Sequence, residues 1–332
     1  MINFLDVFIT VIFLLLLAVP GFIFAKTKMF PKGASETLSV IVLYGCQPIL
    51  IFTSFQGCAF SPNIALNMLL VAAIAFLSHL VMFAVVKLIF FKRQNDDRVK
   101  LVKYLSVFSN CGFMGLPFLQ SLFTESALQA ELVIYCAVVL AVFNILNWTF
   151  GVYILTGDRK QITPKKVLFN PVIIAVIISL ALFFIMQKPL VEFAVVGTTT
   201  YKCLSKLMNT LNFLSNMVTP LSMFVIGIRL ANVNGRQLLT DKWAYLATGV
   251  KLILMSFVVM LLVAYLPIPS TIKYTLFFLL SMPSATSGAM MAVQFGKDSD
   301  FASIVVVLST ISSIISLPLM YLFMNGVLGI VI

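Results

Sequence analysis

Two interrupted apolar stretches carry the residues best suited to holding a small molecule. One reads Ser109-Asn110-Cys111-Gly112-Phe113-Met114-Gly115-Leu116-Pro117, the other Ser281-Met282-Pro283-Ser284-Ala285-Thr286-Ser287-Gly288. A proline inside a helix removes a backbone donor and clashes with the preceding turn, and nearby glycines make the backbone permissive. A helix broken there restarts with unpaired N–H groups at an electropositive end, and small anions bind such ends readily. Asn110, Ser281, Ser284 and Thr286 add side-chain donors beside the breaks. One break alone reads as a proline kink re-satisfied by neighbouring helices. Two at corresponding places, both rich in Gly, Asn or Ser, favour a binding site.

Other polar residues in apolar surroundings are fewer. Asn144 and Asn147 lie together just before Trp148, Gln47 stands next to Pro48, and Asn209, Asn212 and Asn216 recur at helical spacing before Thr219-Pro220. An amide in hydrocarbon is unfavourable unless paired, so these should face the bundle interior or water. They serve either a binding site or interhelical hydrogen bonds. Lys251 lies well inside an apolar run about two turns from Trp243. It is expected to snorkel to an interface, with attraction of an anionic substrate as the alternative. Ser309, Ser312, Ser313 and Ser316 share one helical face, a pattern that favours close helix packing over substrate contact.

Several chemistries lack their residues. Asp6, Glu125 and Glu131 lie near the ends of apolar runs, and none of the acids sits deep inside one, so ion antiport through an intramembrane acidic pair is unsupported. His79 has no His, Cys or acid at metal-ligand spacing and reads as a packing or interfacial residue. Cys46, Cys58, Cys111, Cys136 and Cys203 are scattered, with no disulfide framework or metal spacing. No enzyme constellation is visible, and no cofactor or metal is expected.

The elements that must position these residues are membrane helices. Of 332 residues 61% are hydrophobic and 10% charged, with mean hydropathy +1.10. Soluble domains carry roughly 25% charged residues. Windows of about 20 residues predict ten spans, at 4–25, 34–56, 64–90, 101–121, 128–155, 166–187, 203–230, 243–265, 273–295 and 299–325. The first lacks a basic n-region and a small-residue cleavage site, so it reads as a mature helix rather than a signal peptide. The net charge of +11 follows the positive-inside rule rather than nucleic-acid binding. Only Lys188, Lys202, Lys206 and Lys273 lie in loops after even-numbered spans; Lys251 sits in the eighth, and the rest of the 22 basic residues follow odd-numbered spans. Odd-numbered loops are therefore expected in the cytoplasm of a multi-pass cell (inner) membrane protein, with both termini outside.

Five spans followed by five more would give halves of opposite orientation, 1–155 and 166–332, the inverted-repeat plan common in transporters. Gln47-Pro48 in the second span answers to Thr219-Pro220 in the seventh, and the two broken stretches occupy the fourth and ninth. The first and sixth agree less well, with Pro20-Gly21 late in one and Asn170-Pro171 early in the other.

The run Asn110 to Pro117 resembles the fourth-helix motif of the auxin efflux carrier family. The stretch from Met282-Pro283-Ser284-Ala285 through Gln294-Phe295-Gly296-Lys297-Asp298 resembles its ninth helix and exit, and Leu308-Ser309-Thr310 with Ser316-Leu317-Pro318-Leu319 its tenth. Asn170-Pro171 and Pro220 to Gly227 also fit the sixth and seventh. The resemblance implies an all-α membrane protein of ten helices in two inverted five-helix repeats, like the sodium/proton antiporter and bile-acid transporter folds. In it a scaffold and a moving transport domain cross through broken helices four and nine. It further implies carriage of organic anions, auxin in plants and dicarboxylates such as malate or malonate in bacterial members. Asn110 would then contact substrate, and Pro117 and Pro283 would form the crossover. The chain departs from the plant carriers in its short 156–166 connection and in Ser284 and Thr286 after Pro283, so it is read as a short, bacterial-type member.

The expected function is secondary transport of small organic anions, carboxylates such as malate or malonate or auxin-like acids, by alternating access of the elevator type. The substrate set is Asn110, Cys111, Gly112, Gly115, Pro117, Ser281, Pro283, Ser284, Thr286, Asn144, Asn216 and Gln47. A ligand sensor and a sodium-coupled symporter are the alternatives. The expected partners are a small organic anion and the lipid bilayer, with a homodimer as an option and no nucleic acid.

Overall fold

The computed structural model describes residues 2–93 and 96–328; the last four residues of the second expected half lie outside it. Among the described residues the regular elements are all helices. In order these are α1 (Phe4–Lys26), α2 (Ala34–Gln56), α3 (Pro62–Ile89), α4 (Asp97–Val107), α5 (Cys111–Leu122) and α6 (Leu128–Thr156). They continue with α7 (Pro171–Met186), α8 (Thr199–Asn232), α9 (Lys242–Ala264), α10 (Ser270–Ser281), α11 (Ser287–Gln294) and α12 (Ser299–Leu328). Among the described residues, 8 helical spans are long and apolar enough to cross a membrane: α1, α2, α3, α6, α7 extended to Phe193, α8, α9 and α12. The expected fourth and ninth spans are each two shorter helices.

Local chemistry explains the boundaries. Asn3 caps α1 by accepting from the Asp6 N–H at 2.9 Å, while Asp6 accepts from the Asn3 N–H at 2.8 Å, a reciprocal capping box. Asp96 accepts from the Arg98 N–H, so α4 starts at Asp97 rather than at the expected 101. Asn170 accepts from the Val172 N–H at 2.9 Å, with Pro171 opening α7. The sixth span therefore begins later than the expected 166, and Lys166 belongs to the short helix Pro164–Leu168. Proline at the first turn lacks only a donor that would be orphaned anyway. Wide turns occupy Ile41–Cys46, Cys111–Gly115, Asn147–Gly151 and Val250–Met255. Pro48 and Pro117 stand just after two of them, where widening accommodates the hydrogen bond that each proline removes.

Packing repeats across the chain. The second half of α1 lies against the second half of α8, and α7 lies against α2; α3 packs on α6, and α9 on α12. Large apolar residues such as Phe13, Leu69, Ile185 and Phe213 remain exposed on the outside of the bundle, as lipid-facing side chains do. The tightest contact joins α1 and α8. A Cβ on Gly227 would stand 2.0 Å from the Ala18 carbonyl oxygen and 2.8 Å from the Phe22 nitrogen, and one on Gly21 2.5 Å from the Phe224 carbonyl oxygen. Without a hydrophobic driving force between helices in lipid, such backbone approach supplies the packing.

Because backbone atoms fill the space at Gly227, no side-chain adjustment can relieve a substitution there. Gly227→Leu should destabilise the bundle by at least about 3 kcal/mol, the upper end for overpacking, and Gly45→Ala, where nothing lies within 4 Å, should be neutral. Thermal unfolding and size-exclusion profiles in detergent check both; a wild-type Tm for Gly227→Leu would refute the packing account.

Candidate functional site

The two breaks lie side by side and are hydrogen-bonded to each other. The Asn110 N–H donates to the Pro283 carbonyl at 2.7 Å, and the Ala285 N–H donates to the Phe108 carbonyl at 2.9 Å. Ser109 and Ser284 thus form an antiparallel bridge, the one place among the described residues where extended backbone pairs. Phe108 is extended (φ −85°, ψ 119°), and Met282 (φ −53°, ψ 154°) has the conformation that a following proline imposes. Each break satisfies groups that the other exposes. Glycines let the neighbouring helices close on this crossing: a Cβ on Gly115 would lie 2.7 Å from Leu279, and one on Gly288 2.5 Å from Leu105.

Helix α5 restarts with spare donors. Its first backbone bonds run from Met114 and Gly115 to the Asn110 carbonyl, at 3.1 and 3.0 Å. The N–H groups of Cys111, Gly112 and Phe113 precede them, at the electropositive end. Helix α11 begins nearby, at Ser287. Thr286 donates its hydroxyl to Asn110 Oδ1 at 3.3 Å, which aims the Asn110 amide, and Asn110 Nδ2 is buried with no partner. Gln47 Nε2 is likewise buried and unpartnered. Buried donors of this kind are normally satisfied.

A cavity of about 130 Å³ adjoins the crossing. Among its walls are Gln47, Asn110, Gly112, Asn144 and Thr286, all five from the expected substrate set, with Asn147, Trp148, Asn170 and Gln294. The amides are held in pairs. Asn170 Nδ2 donates to Asn144 Oδ1 at 3.0 Å, Asn144 Nδ2 donates to the Leu140 carbonyl at 2.8 Å, and Tyr104 donates its hydroxyl to Asn147 Oδ1 at 2.5 Å. No carboxylate is among the wall residues. No group of three or more metal-ligating residues occurs among the described residues.

The other expected residues fall elsewhere. Cys111, Gly115, Pro117, Ser281, Pro283 and Ser284 are in or behind the crossing rather than in the cavity wall. The Ser284 N–H donates to Ser309 Oγ at 3.1 Å, so Ser309 of the α12 serine face ties that helix to the break. Asn216 is outside the cavity wall. It is exposed, as are Asn209 and Asn212, because α8 turns the adjacent Ser215 inward to Thr53 of α2 at 3.4 Å. Lys251 departs from the expected snorkelling. It is 0% exposed and does not snorkel; its ammonium donates to the Leu280 carbonyl at 3.0 Å, at the end of α10, whose last carbonyls are free for a cation. His79 is buried against Phe108, ring centroids 5.9 Å apart, with Nδ1 2.8 Å from the Ala75 carbonyl, a packing position.

Two residues had no signal as site residues in the sequence. Tyr104 reads as one more aromatic in an apolar run, yet it orients Asn147. Arg229 counts with the loop charges, yet it lies within α8 and is only 7% exposed. Its position one turn before the end of an apolar run was the available clue.

The sequence profile of the membrane transport protein family matches residues 6–321. A protein described as an uncharacterized transporter, from Methanothermobacter thermautotrophicus, is 25% identical over 313 residues, covering 93% of this chain and 96% of that relative. The fold is that of a lipid-embedded, multi-pass protein, and the family is one of transport rather than enzymatic catalysis. With a profile match over nearly its whole length, the chain belongs to the membrane transport protein family, that of the auxin-efflux-carrier-like proteins.

Proposed function

We propose that this protein is a secondary carrier of small organic anions, carboxylates above all, working by alternating access. The observation that carries the reading is the unpartnered amide donor of Asn110, set at the restart of α5 and facing a cavity without carboxylates. A carboxylate there would accept from Asn110 Nδ2, from Gln47 Nε2 and from the free N–H groups that open α5. Helix N-termini at a break are the usual way for a transporter to hold an anion near the bilayer midplane.

The movement we propose is of elevator type, in a chain built of two inverted five-helix repeats, 1–155 and 166–332. The matching contacts of α1 with α8 and α7 with α2, and of α3 with α6 and α9 with α12, support that division. We take α1, α2, α7 and α8 as one group and the helices that include both broken ones as the other, with the first half of α1 packing on α5 and α12, and α6 on α2 and α7, as the contacts between the groups. The first would be the scaffold and the second the moving part. Backbone bonds between the breaks would carry the crossing as one body, while the cavity wall spans both groups. Lys251 supports transport without sodium: its Nζ already donates to the carbonyl end of α10, where a coupled cation would otherwise be ligated.

Loss of one hydrogen bond to a charged ligand removes about 1.5–3 kcal/mol. Asn110→Ala should therefore lower carboxylate uptake in proteoliposomes by roughly tenfold or more, with the protein still monodisperse. Gln47→Ala should act in the same direction. Wild-type uptake by the Asn110 variant would sink the site. Replacing sodium with choline on both sides should leave uptake unchanged, and a strict sodium requirement would favour a sodium-coupled symporter instead. A thermal-shift screen of mono- and dicarboxylates on the purified protein identifies the acid; stabilisation without any flux would mark a ligand sensor.

A further inference from the structure

We infer that Arg229 anchors a second anion site, for a molecule with one anionic head on an apolar body. Arg229 stands in the last turns of α8 and is more than nine-tenths buried, at 7% exposure. Its Nε is buried without a partner, and the guanidinium forms no ion pair with any described residue. Arginine stays charged in proteins, and an unpaired buried charge is strongly unfavourable. Among the described residues no group pairs with this Nε.

Two cavities meet at this side chain. A polar one of about 610 Å³ includes Glu36, Asn232, Asn234, Gln237 and Ser303 in its walls. The other is an apolar slot of about 180 Å³, lined by Ala18, Ile226, Leu230, Val306 and Ile314 among others. Arg229 is in the wall of both. An apolar cavity of about 150 Å³ is enough to take up benzene, so the slot admits one ring or a short alkyl chain. The planar fork of the guanidinium matches a carboxylate or a phosphate through two parallel hydrogen bonds. Head on Arg229 and body in the slot is the arrangement that the two cavities fit. A purely polar dianion would leave the slot empty, and a neutral hydrocarbon would leave the guanidinium unpaired.

Glu36 acts on the Arg229 charge through space, but neither acid of the polar cavity reaches ion-pair distance. Glu36 and Asp300 line it, but both are exposed and neither pairs with Arg229. Thr286 is in the wall of the slot as well as of the amide-lined cavity, so the second site borders the crossing on another side. It needs neither Asn110 nor transport, and it stands apart from the proposed carrier function. The head-and-body chemistry is shared by a free acid and an anionic lipid.

The test uses the full chain in nanodiscs of phosphatidylcholine, with benzoate as probe, acetate as the head alone and benzyl alcohol as the body alone. Benzoate should raise Tm more than either fragment. Arg229→Gln should weaken benzoate binding by about tenfold or more, the loss of a charge-assisted pair, and Arg229→Lys should retain part of it. The ligand-free Arg229→Gln protein should melt no lower than wild type, since it sheds an unpaired charge. In nanodiscs that contain phosphatidylglycerol, retention of that lipid by wild type and its loss in Arg229→Gln, read by native mass spectrometry, would support the site and assign its source to lipid. An unchanged benzoate response together with unchanged lipid retention in Arg229→Gln would overturn the inference. So would equal destabilisation of ligand-free Arg229→Gln and Glu36→Gln, which would mark the two residues as a structural ion pair.

Discussion

The structure depends on two backbone hydrogen bonds between breaks that are 170-odd residues apart in sequence, Asn110 to Pro283 and Ala285 to Phe108. Inside a bilayer an interrupted helix exposes peptide groups that lipid cannot satisfy, so irregular backbone survives only where protein or a wet cavity surrounds it. Here each break is the other's partner. The pairing fixes how α4 and α5 lie against α10 and α11, and that in turn sets where the restarted helices present their free ends. Gly115 and Gly288 then let the helices close, since a Cβ at either would force a neighbouring leucine side chain to move.

The chemistry of the site follows from this constraint. Once Asn110 is committed by its backbone to Pro283 and by Oδ1 to Thr286, its Nδ2 is left as a donor with no protein acceptor. The neighbouring amides are arranged differently. Asn144 and Asn170 bond each other, and Asn147 is held by Tyr104, so they shape the cavity with fixed dipoles rather than with loose donors. Fixed donors around a small cavity suit a ligand that brings its own negative charge. Positive potential is supplied at a distance, by the ends of helices, while the Lys251 Nζ is engaged by a backbone carbonyl rather than an acid.

Much of this was legible from residue types alone. Gly, Pro and Asn inside apolar runs marked both breaks, and mean hydropathy and the distribution of basic residues marked a multi-pass membrane protein. The family resemblance rested on those same motifs and agrees with the profile match to residues 6–321. What could not be read was direction. Asn216 and Asn110 are the same residue type at the same kind of place, beside a proline in an apolar span, yet one faces outward and the other inward. Helical spacing says which residues share a face; it does not say which face meets a neighbour, and for α8 that was settled by Ser215 packing on Thr53.

Charge shows the same division. The order of basic residues along the chain determined that this is a membrane protein with a sided distribution of charge, because hydration energies act on every residue independently of its contacts. Burial of a particular cation is a different matter. Lys251 had a short enough path to an interface for snorkelling, and Arg229 stood near the end of its span, yet both are enclosed by helices from distant parts of the chain. Sequence carries the local terms, namely breaks, caps, spans and the balance of charge. Which polar groups end up sealed from water, and which of them keep a partner, was decided only when α4, α5, α10 and α11 crossed, because desolvation depends on everything packed around a group and not on its neighbours in sequence.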